Sequence, residues 1–408
     1  MSGAPVDRSS APWWRKATLL GSLYFSQGLP FGFFVQALPV LLRQHGVSLV
    51  DIGLSSLLAL PWALKFVWAP GVERTFVARI GRRRSWLLPL QGIAVALLLL
   101  TGTVPPEEDL AALLVLVFLV NLVSATQDIA TDGLAIDILA PEERGWANGL
   151  QVAGYRVGMI VGGGVLLMTY ERLGFFATFA AMAGLLAIAT LPVLVLREAP
   201  ATGDPGTRPR PSLRAFLRRP DTARIFAVVL TYKVGDALAT SMLRPFLADL
   251  GLGVADIGWL LGTVGFVTGL LGALTGGALV RPLGRKPALL WFGALQTLSV
   301  AGYFAVSLAP HTPGLLLVAC GFEHFVGGMA TAALFTCMMD WCGAQSHATD
   351  YTIQASAVVI VTIAASTIGG ASAESLGYPL HFATAFAVSG AGLLVVARAF
   401  PTPPPETP

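Results

Sequence analysis

Apolar residues are grouped along the chain into long runs, separated by short stretches of Pro, Gly and charged residues. Several runs, such as 89–105 and 173–196, approach the roughly 20 apolar residues that a helix needs to cross a bilayer. The pattern predicts an all-α membrane protein with twelve transmembrane helices. We expect these helices at 17–42, 52–70, 86–104, 110–138, 146–169, 173–195, 223–249, 257–280, 288–308, 313–342, 351–373 and 379–398.

A repeat divides the twelve helices into two halves. The octapeptide GVSLVDIG (Gly46–Gly53) opens the second run and GLGVADIG (Gly251–Gly258) opens the eighth, and a basic turn follows each run. Parallel repeats of this kind predict two pseudo-symmetric six-helix bundles with a solute site near the midplane. The insert rich in Pro, Gly and Arg predicts a linker, 197–222, between bundles at 1–196 and 223–408.

Composition agrees with a membrane protein and predicts its orientation. The chain is 55% hydrophobic and 12% charged, whereas soluble domains average about 25% charged residues. Of the 26 Lys and Arg residues, about twenty lie on the side that carries both termini, and three (Arg43, Arg172 and Arg244) lie on the other. This excess predicts cytoplasmic termini. The three cysteines lack the spacing of a zinc site or a disulfide framework, so we expect no metal and no cofactor.

Two loops carry a resemblance to a known superfamily. The stretch GALVRPLGRKPAL (Gly277–Leu289) resembles the loop signature of the major facilitator superfamily, and Gly71–Arg84 resembles a stretched first-half copy. The resemblance implies that fold and a cytoplasmic gate, where basic residues meet helix carbonyls and carboxylates. Val280 stands where the family usually has Asp. The expected gate residues are Glu73, Arg82, Arg83, Asp137, Arg144, Arg281 and Arg285; for any single arginine, a role in topology alone stays open.

Four further stretches carry a narrower resemblance. They are LYFSQGLPFGFF (Leu23–Phe34), LPWALKFVWAP (Leu60–Pro70), QDIATDGLAID (Gln127–Asp137) and Glu142–Gly164. Together they resemble the AmpG-type muropeptide permeases, the related acetyl-coenzyme A transporters and the siderophore transporters of the RhtX/FptX type. The resemblance implies transport across a bacterial inner membrane, and it does not select the substrate.

Charged residues inside the apolar runs are the candidates for function, because an ionisable group in hydrocarbon costs at least about 2.5–3.5 kcal/mol. The fourth run has a polar stripe on one helical face: Asn121, Ser124, Asp128, Thr131 and Asp132. Lys65 lies at a similar depth and would neutralise Asp128 or Asp132 by pairing. Asp137 is expected at the cytoplasmic helix end, near Arg144 and the first basic loop.

The second half has its own internal charges. Lys233 and Asp236 are three residues apart and can meet on one face, either as a fixed pair or as a proton site. Glu323 and His324 lie near mid-depth. The expected proton-coupling residues are Asp128, Asp236, Glu323 and His324, and the expected charge pairs involve Lys65, Asp132 and Lys233. The expected solute cavity is lined by Tyr24, Gln27, Gln36, Asn121, Asp128, Gln151 and Arg156. Arg156 suits a carboxylate or phosphate of the solute, or a salt bridge to the fourth helix.

The leading hypothesis is a proton-driven secondary transporter that imports a bulky polar solute. A muropeptide-like sugar–peptide is the first choice and a siderophore the alternative. A membrane acyltransferase using His324 lacks a GxSxG or HExxH motif, and a transport-fold sensor without flux stays open. We therefore expect a monomer in the lipid bilayer that is not an enzyme, binds a small-molecule solute and protons, and binds no nucleic acid.

Overall fold

The computed structural model describes residues 12–39, 42, 56–106, 108–196, 198, 211–308 and 312–401. The first copy of the repeated octapeptide, Arg43 and most of the predicted linker lie outside these residues. The described residues are helical almost throughout, and an isolated β-bridge joins Val77 and Gly81.

The helices of the first half begin and end as follows. They are α1 (Trp13–Gly32, continued by a π-helix at Phe33–Ala37), α2 (Leu60–Leu64), α3 (Ala69–Arg74), α4 (Arg84–Gly102), α5 (Leu110–Ile138), α6 (Arg144–Met159, continued by a π-helix at Ile160–Val165) and α7 (Leu166–Val195). Short 3₁₀ turns at Ser56–Ala59 and Lys65–Val67 flank α2.

The second half continues the all-helical pattern. Its helices are α8 (Leu213–Leu217), α9 (Thr222–Tyr232), α10 (Val234–Ser241), α11 (Leu243–Asp249), α12 (Val254–Ile257, followed by a π-helix at Gly258–Val264), α13 (Gly265–Leu283), α14 (Arg285–Leu308), α15 (Pro313–Asp340) and α16 (His347–Ala399).

Eight helical runs of the described residues are long and apolar enough to cross a membrane. The protein is therefore an all-α, multi-pass membrane protein, as predicted; the count of twelve spans stays a prediction. Two helices begin at the residues that the sequence predicted, and a side-chain hydrogen bond caps the first turn of each. Asp109 accepts a hydrogen bond from the Ala112 N–H at the start of α5, and Thr312 accepts one from Leu315 at the start of α15.

Two helices contain a break where the sequence predicted a turn between spans. Gly174 in α7 has φ 79° and Gly377 in α16 has φ 74°, backbone conformations that favour glycine. The predicted span 52–70 is wrong as a single regular helix. Pro61 and Pro70 each lack a backbone N–H, and from Ser56 onward the segment is divided into 3₁₀ turns and the short helices α2 and α3.

The chain packs into two compact units. Unit 1 comprises Met1–Ala140, Gly154–Leu213 and Ala344–Thr352, and unit 2 comprises Pro141–Ala153, Arg214–Gly343 and Ile353–Pro408. Each unit has its own apolar core, which includes Leu29, Phe33, Val117 and Phe179 in unit 1. Phe246, Val300, Leu316 and Phe382 are among the core residues of unit 2. The predicted bundle boundaries at the linker stay a prediction.

Glycines allow two helices of unit 1 to approach each other at backbone distance. A Cβ added to Gly162 would lie 1.8 Å from the Leu29 carbonyl oxygen, and one added to Gly28 would lie 2.0 Å from that of Tyr155. Gly158 meets the Phe25 carbonyl in the same way. Small residues at such crossings let membrane helices pack closely, so α1 and α6 with its π-helical extension form a tight pair.

A substitution at this crossing tests the close packing. We expect Gly162→Ala to destabilise the protein by about 1–3 kcal/mol, because its methyl group overlaps the Leu29 carbonyl. Gly184→Ala is the matched control, since a Cβ there meets nothing within 4 Å. Thermal unfolding of the purified protein in detergent measures both. Equal midpoints for the two variants would contradict the packing.

Candidate functional site

The polar stripe of α5 lies in the interior of unit 1. Its five members, Asn121, Ser124, Asp128, Thr131 and Asp132, are all buried. The stripe follows the helical spacing of three and four residues, which places these side chains on one face. Buried polar groups need partners, and the neighbouring helices of the unit provide them.

One ammonium and two carboxylates meet at this stripe. Lys65, in the 3₁₀ turn after α2, pairs with Asp128, and both side chains are almost fully buried. Tyr24 on α1 donates a hydrogen bond of 2.9 Å to Asp132, which lies one turn beyond Asp128 on the same face of α5. Of the two pairings that the sequence left open, Lys65 therefore bonds Asp128.

Three aromatic rings from α1, α2 and α6 lie beside this cluster. The Phe31 ring is 5.4 Å from that of Trp62 and 5.7 Å from that of Tyr155, centroid to centroid, and the other two are 6.5 Å apart. The Trp62 indole N–H donates to the Asn121 side-chain oxygen at 3.0 Å. The Lys65 ammonium lies 5.6 Å from the Trp62 ring. Sequence reasoning missed these rings because apolar runs contain many aromatic residues with no polar marker.

The expected cavity residues are distributed over both units. Gln27 on α1 is 1% exposed, and within the described part of the chain neither polar atom of its amide has a hydrogen-bond partner. Gln36 is exposed, and Arg156 is half-buried in unit 1. Gln151 is buried and packs in unit 2. The structure thus groups Tyr24, Gln27, Asn121 and Asp128 in unit 1, and their roles stay a prediction.

Two acidic clusters lie in unit 2. The Lys233 ammonium is 2.7 Å from Asp236, at the break between α9 and α10. On α15, Glu323 lies 2.6 Å from the His324 ring, and the Tyr303 hydroxyl donates to the same carboxylate oxygen at 3.4 Å. Glu323 is buried. Both predicted neighbour pairs therefore form contacts, and their part in proton coupling stays a prediction.

A buried arginine joins the helix ends of unit 1. Arg83 is 0% exposed and bonds Glu73 at 2.8 Å and Asp137 at 2.7 Å. Burial alone would lower the pKa of Arg83, but the carboxylates of Asp137 and Glu73 outweigh it and raise that pKa above its ordinary value. Arg82 adds a second contact to Glu73 at 2.5 Å. The carboxylates hold Arg83 permanently charged.

Residues 344–352 complete this network within unit 1. The His347 ring nitrogen lies 2.7 Å from Asp137, and the Thr349 N–H donates to Glu73 at 2.7 Å. Glu198 accepts hydrogen bonds from the backbone N–H groups of Arg83 and Arg84 at about 3.0 Å, where the positive end of α4 favours a carboxylate. Sequence reasoning missed His347 and Glu198 because both stand in polar segments without a motif.

Unit 2 contains a corresponding cluster around one carboxylate. Asp340, at the end of α15, bonds Arg144 at 2.7 Å and Arg285 at 2.5 Å. Asp137, which was expected near the first basic loop, bonds Arg83 of that loop and also His347, and Arg144 bonds Asp340 in unit 2. Asp340 is therefore the carboxylate that pairs with Arg285. The loop itself has no acid at the position where the superfamily usually has Asp, because Val280 stands there. Arg281 is exposed.

Two family models match the chain. One described as "Acetyl-coenzyme A transporter 1" matches residues 16–110 and 106–173, and one described as "Major Facilitator Superfamily" matches residues 225–408. The chain is 32% identical over 396 residues to the anhydromuropeptide permease of Escherichia coli strain K12, covering 94% of this chain and 80% of the relative. It is 25% identical over 370 residues to putative transporter AmpG 4 of Rickettsia conorii, covering 87% and 89%.

Solved structures share the fold at low sequence identity. The major facilitator superfamily transporter FucP, solved in the outward conformation, has a TM-score of 0.70 at 14% identity, over 95% of this chain and 99% of that one. A bacterial homologue of the iron transporter ferroportin, in an outward-facing state, has a TM-score of 0.67 at 16% identity, over 94% and 98%. These two likenesses show the fold.

The helical fold, the membrane spans and these likenesses define a multi-pass membrane transporter, and its relatives are permeases rather than enzymes. The chain belongs to the Major Facilitator Superfamily and, within it, to the family of the anhydromuropeptide permease. The sequence resemblance to the major facilitator superfamily, the AmpG-type permeases and the acetyl-coenzyme A transporters is thereby confirmed, whereas the resemblance to siderophore transporters stays a prediction.

The presence of two acids near Lys65 predicts an asymmetric result on mutation. Lys65→Met leaves the buried Asp128 without the ammonium that pairs with it, and removal of one partner from a buried pair costs about 3–5 kcal/mol. Asp128→Leu should cost less, because Asp132 can then pair with Lys65. The double variant Lys65→Met/Asp128→Leu should recover part of the loss. Thermal unfolding in detergent measures the cycle, and equal losses in the two single variants would refute the asymmetry.

The Arg83 network predicts that charge alone is insufficient at this position. Arg83→Lys keeps the charge but cannot span Glu73 and Asp137 with one planar fork, so we expect a loss of about 1.5–3 kcal/mol. The matched control is Arg79→Lys, at an exposed position, with an effect within about 0.5 kcal/mol. Thermal unfolding midpoints compare the two, and similar midpoints would argue against the network.

Proposed function

We propose that the chain imports a muropeptide-like sugar–peptide across the bacterial inner membrane and is driven by the proton gradient. The observation that carries this proposal is the 32% identity with an anhydromuropeptide permease over 94% of the chain. The likeness to the ferroportin homologue, at 16% identity, concerns the fold alone and does not favour siderophore uptake.

The buried polar groups of unit 1 support a polar solute. Tyr24, Gln27, Asn121 and the Lys65–Asp128 pair place donors, acceptors and both signs of charge inside an otherwise apolar helical unit. Burying such groups in a membrane protein costs free energy and marks solute or ion pathways. Arg156 remains a candidate partner for a carboxylate of the solute.

The acidic groups of both units support proton coupling. Asp128, Asp236 and Glu323 each lie next to a basic side chain, which is Lys65, Lys233 and His324 respectively. A carboxylate in such a pair can release its partner on protonation, because the neutral acid no longer attracts the cation. We assign Asp128, Asp236, Glu323 and His324 as the proton-coupling candidates.

The gate and the topology complete the proposal. Glu73, Arg82, Arg83, Asp137, Arg144, Arg281 and Arg285 would form the cytoplasmic gate. The Lys and Arg distribution supports cytoplasmic termini. Twelve spans in two six-helix bundles, divided at 197–222, and a monomeric state belong to the same proposal.

Uptake into proteoliposomes tests the function. We expect purified protein to accumulate a radiolabelled anhydromuropeptide when the outside is more acidic than the inside, and to stop when a protonophore collapses the gradient. Liposomes without protein are the control. Absence of gradient-dependent accumulation would contradict the proposal.

Glu323→Gln tests the coupling separately from binding. We expect this variant to lose gradient-driven accumulation of the anhydromuropeptide but to keep solute exchange between the two sides, because the amide cannot take up or release a proton. Glu374→Gln, at an exposed position, is the matched control and should behave like the unmodified chain. If Glu323→Gln accumulates the solute as well as the control does, Glu323 does not couple solute transport to the proton gradient.

A further inference from the structure

Trp62 lies on the inner side of its segment. Leu60, Leu64 and Val67 expose large apolar surfaces, which suits lipid. Trp62 and Lys65, three residues apart, are directed instead toward the polar stripe of α5, where they contact Asn121 and Asp128. The aromatic ring therefore belongs to the polar interior of unit 1.

The three aromatic residues lie at the edge of the apolar core of unit 1 and are not enclosed in it. Phe31, Trp62 and Tyr155 are all half-buried, and their centroid separations of 5.4–6.5 Å fall within the usual range of aromatic pairs. The hydrogen bond from Trp62 to Asn121 fixes the plane of the indole. A fixed aromatic surface of this size, edged by polar groups, has the character of a ligand site.

The charge beside the rings favours a neutral ligand group. The Lys65 ammonium beside the Trp62 ring is already paired with Asp128, so it offers no unpaired cation to an anionic group. One turn before Phe31 on the same face of α1, the buried Gln27 amide has a donor and an acceptor without a partner in the described residues. A neutral ligand with hydroxyl or amide groups matches both features.

A sugar ring has this chemistry. One face of a pyranose presents weakly positive C–H groups, which match the negative face of an aromatic ring, while its hydroxyl and amide substituents extend sideways to hydrogen-bonding partners. We propose that Phe31, Trp62 and Tyr155 form the subsite on which the sugar portion of the transported solute stacks, beside Asn121 and Gln27. This inference rests on the proposed function, which supplies a sugar–peptide as the solute.

Removal of single rings tests the subsite in the full-length protein. In proteoliposomes, Trp62→Leu and Phe31→Leu should each raise the half-saturating concentration of radiolabelled anhydromuropeptide about fivefold, which corresponds to about 1 kcal/mol of ring contact. The Phe31 side chain has no hydrogen-bonding group, so Phe31→Leu separates stacking from the loss of the Asn121 contact. The matched control is Trp291→Leu in unit 2, whose side chain is 65% exposed; it should leave uptake unchanged.

A second measurement keeps the subsite testable apart from transport. Calorimetric binding of the anhydromuropeptide disaccharide, without its peptide, to the detergent-solubilised protein should weaken about fivefold in Trp62→Leu and Phe31→Leu. If the unmodified protein accumulates no anhydromuropeptide, the proposed function fails, and disaccharide binding alone decides the subsite. The subsite would be overturned if the ring variants took up the anhydromuropeptide and bound the disaccharide as well as the control does. It would also be overturned if the unmodified protein did not bind the disaccharide. Should Trp62→Leu not fold, Phe31→Leu and Tyr155→Leu decide.

Discussion

The pairing of Lys65 with Asp128 is the interaction on which the polar interior of unit 1 depends. In a membrane interior an unpaired ammonium or carboxylate is strongly disfavoured, because no water compensates its charge. The pair allows α5 to carry a second acid, Asp132, one turn further along, with the Tyr24 hydroxyl as its partner. It also brings Trp62 to Asn121, since both aromatic and basic side chains come from one short segment. The irregular backbone around α2 is what presents them together.

Carboxylates organise the helix ends of each unit in a similar way. In unit 1, Glu73 and Asp137 hold the buried Arg83 and also bind residues 347 and 349. In unit 2, Asp340 holds Arg144 and Arg285. Each carboxylate forms hydrogen bonds or ion pairs with more than one element, so loss of one acid would release several segments at once. Such shared acceptors suit a protein whose function requires contacts that form and separate as a group.

The proposed recognition of the solute and the proposed proton coupling would use different chemistry in this chain. The aromatic rings and the Gln27 amide of unit 1 suit a neutral, hydroxyl-bearing solute, whereas the proposed coupling would use the acid–base pairs of both units. The two kinds of group meet at Lys65, which contacts both the Trp62 ring and the Asp128 carboxylate. A change in the protonation of Asp128 would therefore act directly on the edge of the aromatic surface.

The amino-acid sequence alone determined the class of fold, because twenty-residue apolar runs have no stable alternative to helices in a bilayer. It also located the stripe on α5 and the neighbours Lys233–Asp236 and Glu323–His324, and it placed Lys65 at the depth of the stripe with Asp128 and Asp132 as alternative partners. Only the tertiary structure showed that His347, Thr349 and Glu198 join the Arg83 network. It also showed that Asp340 binds Arg144. The meeting of the Phe31, Trp62 and Tyr155 rings was likewise visible only in the tertiary structure. These contacts join residues far apart in the chain, and apolar runs give no periodic signal that would pair one ring or one helix end with another.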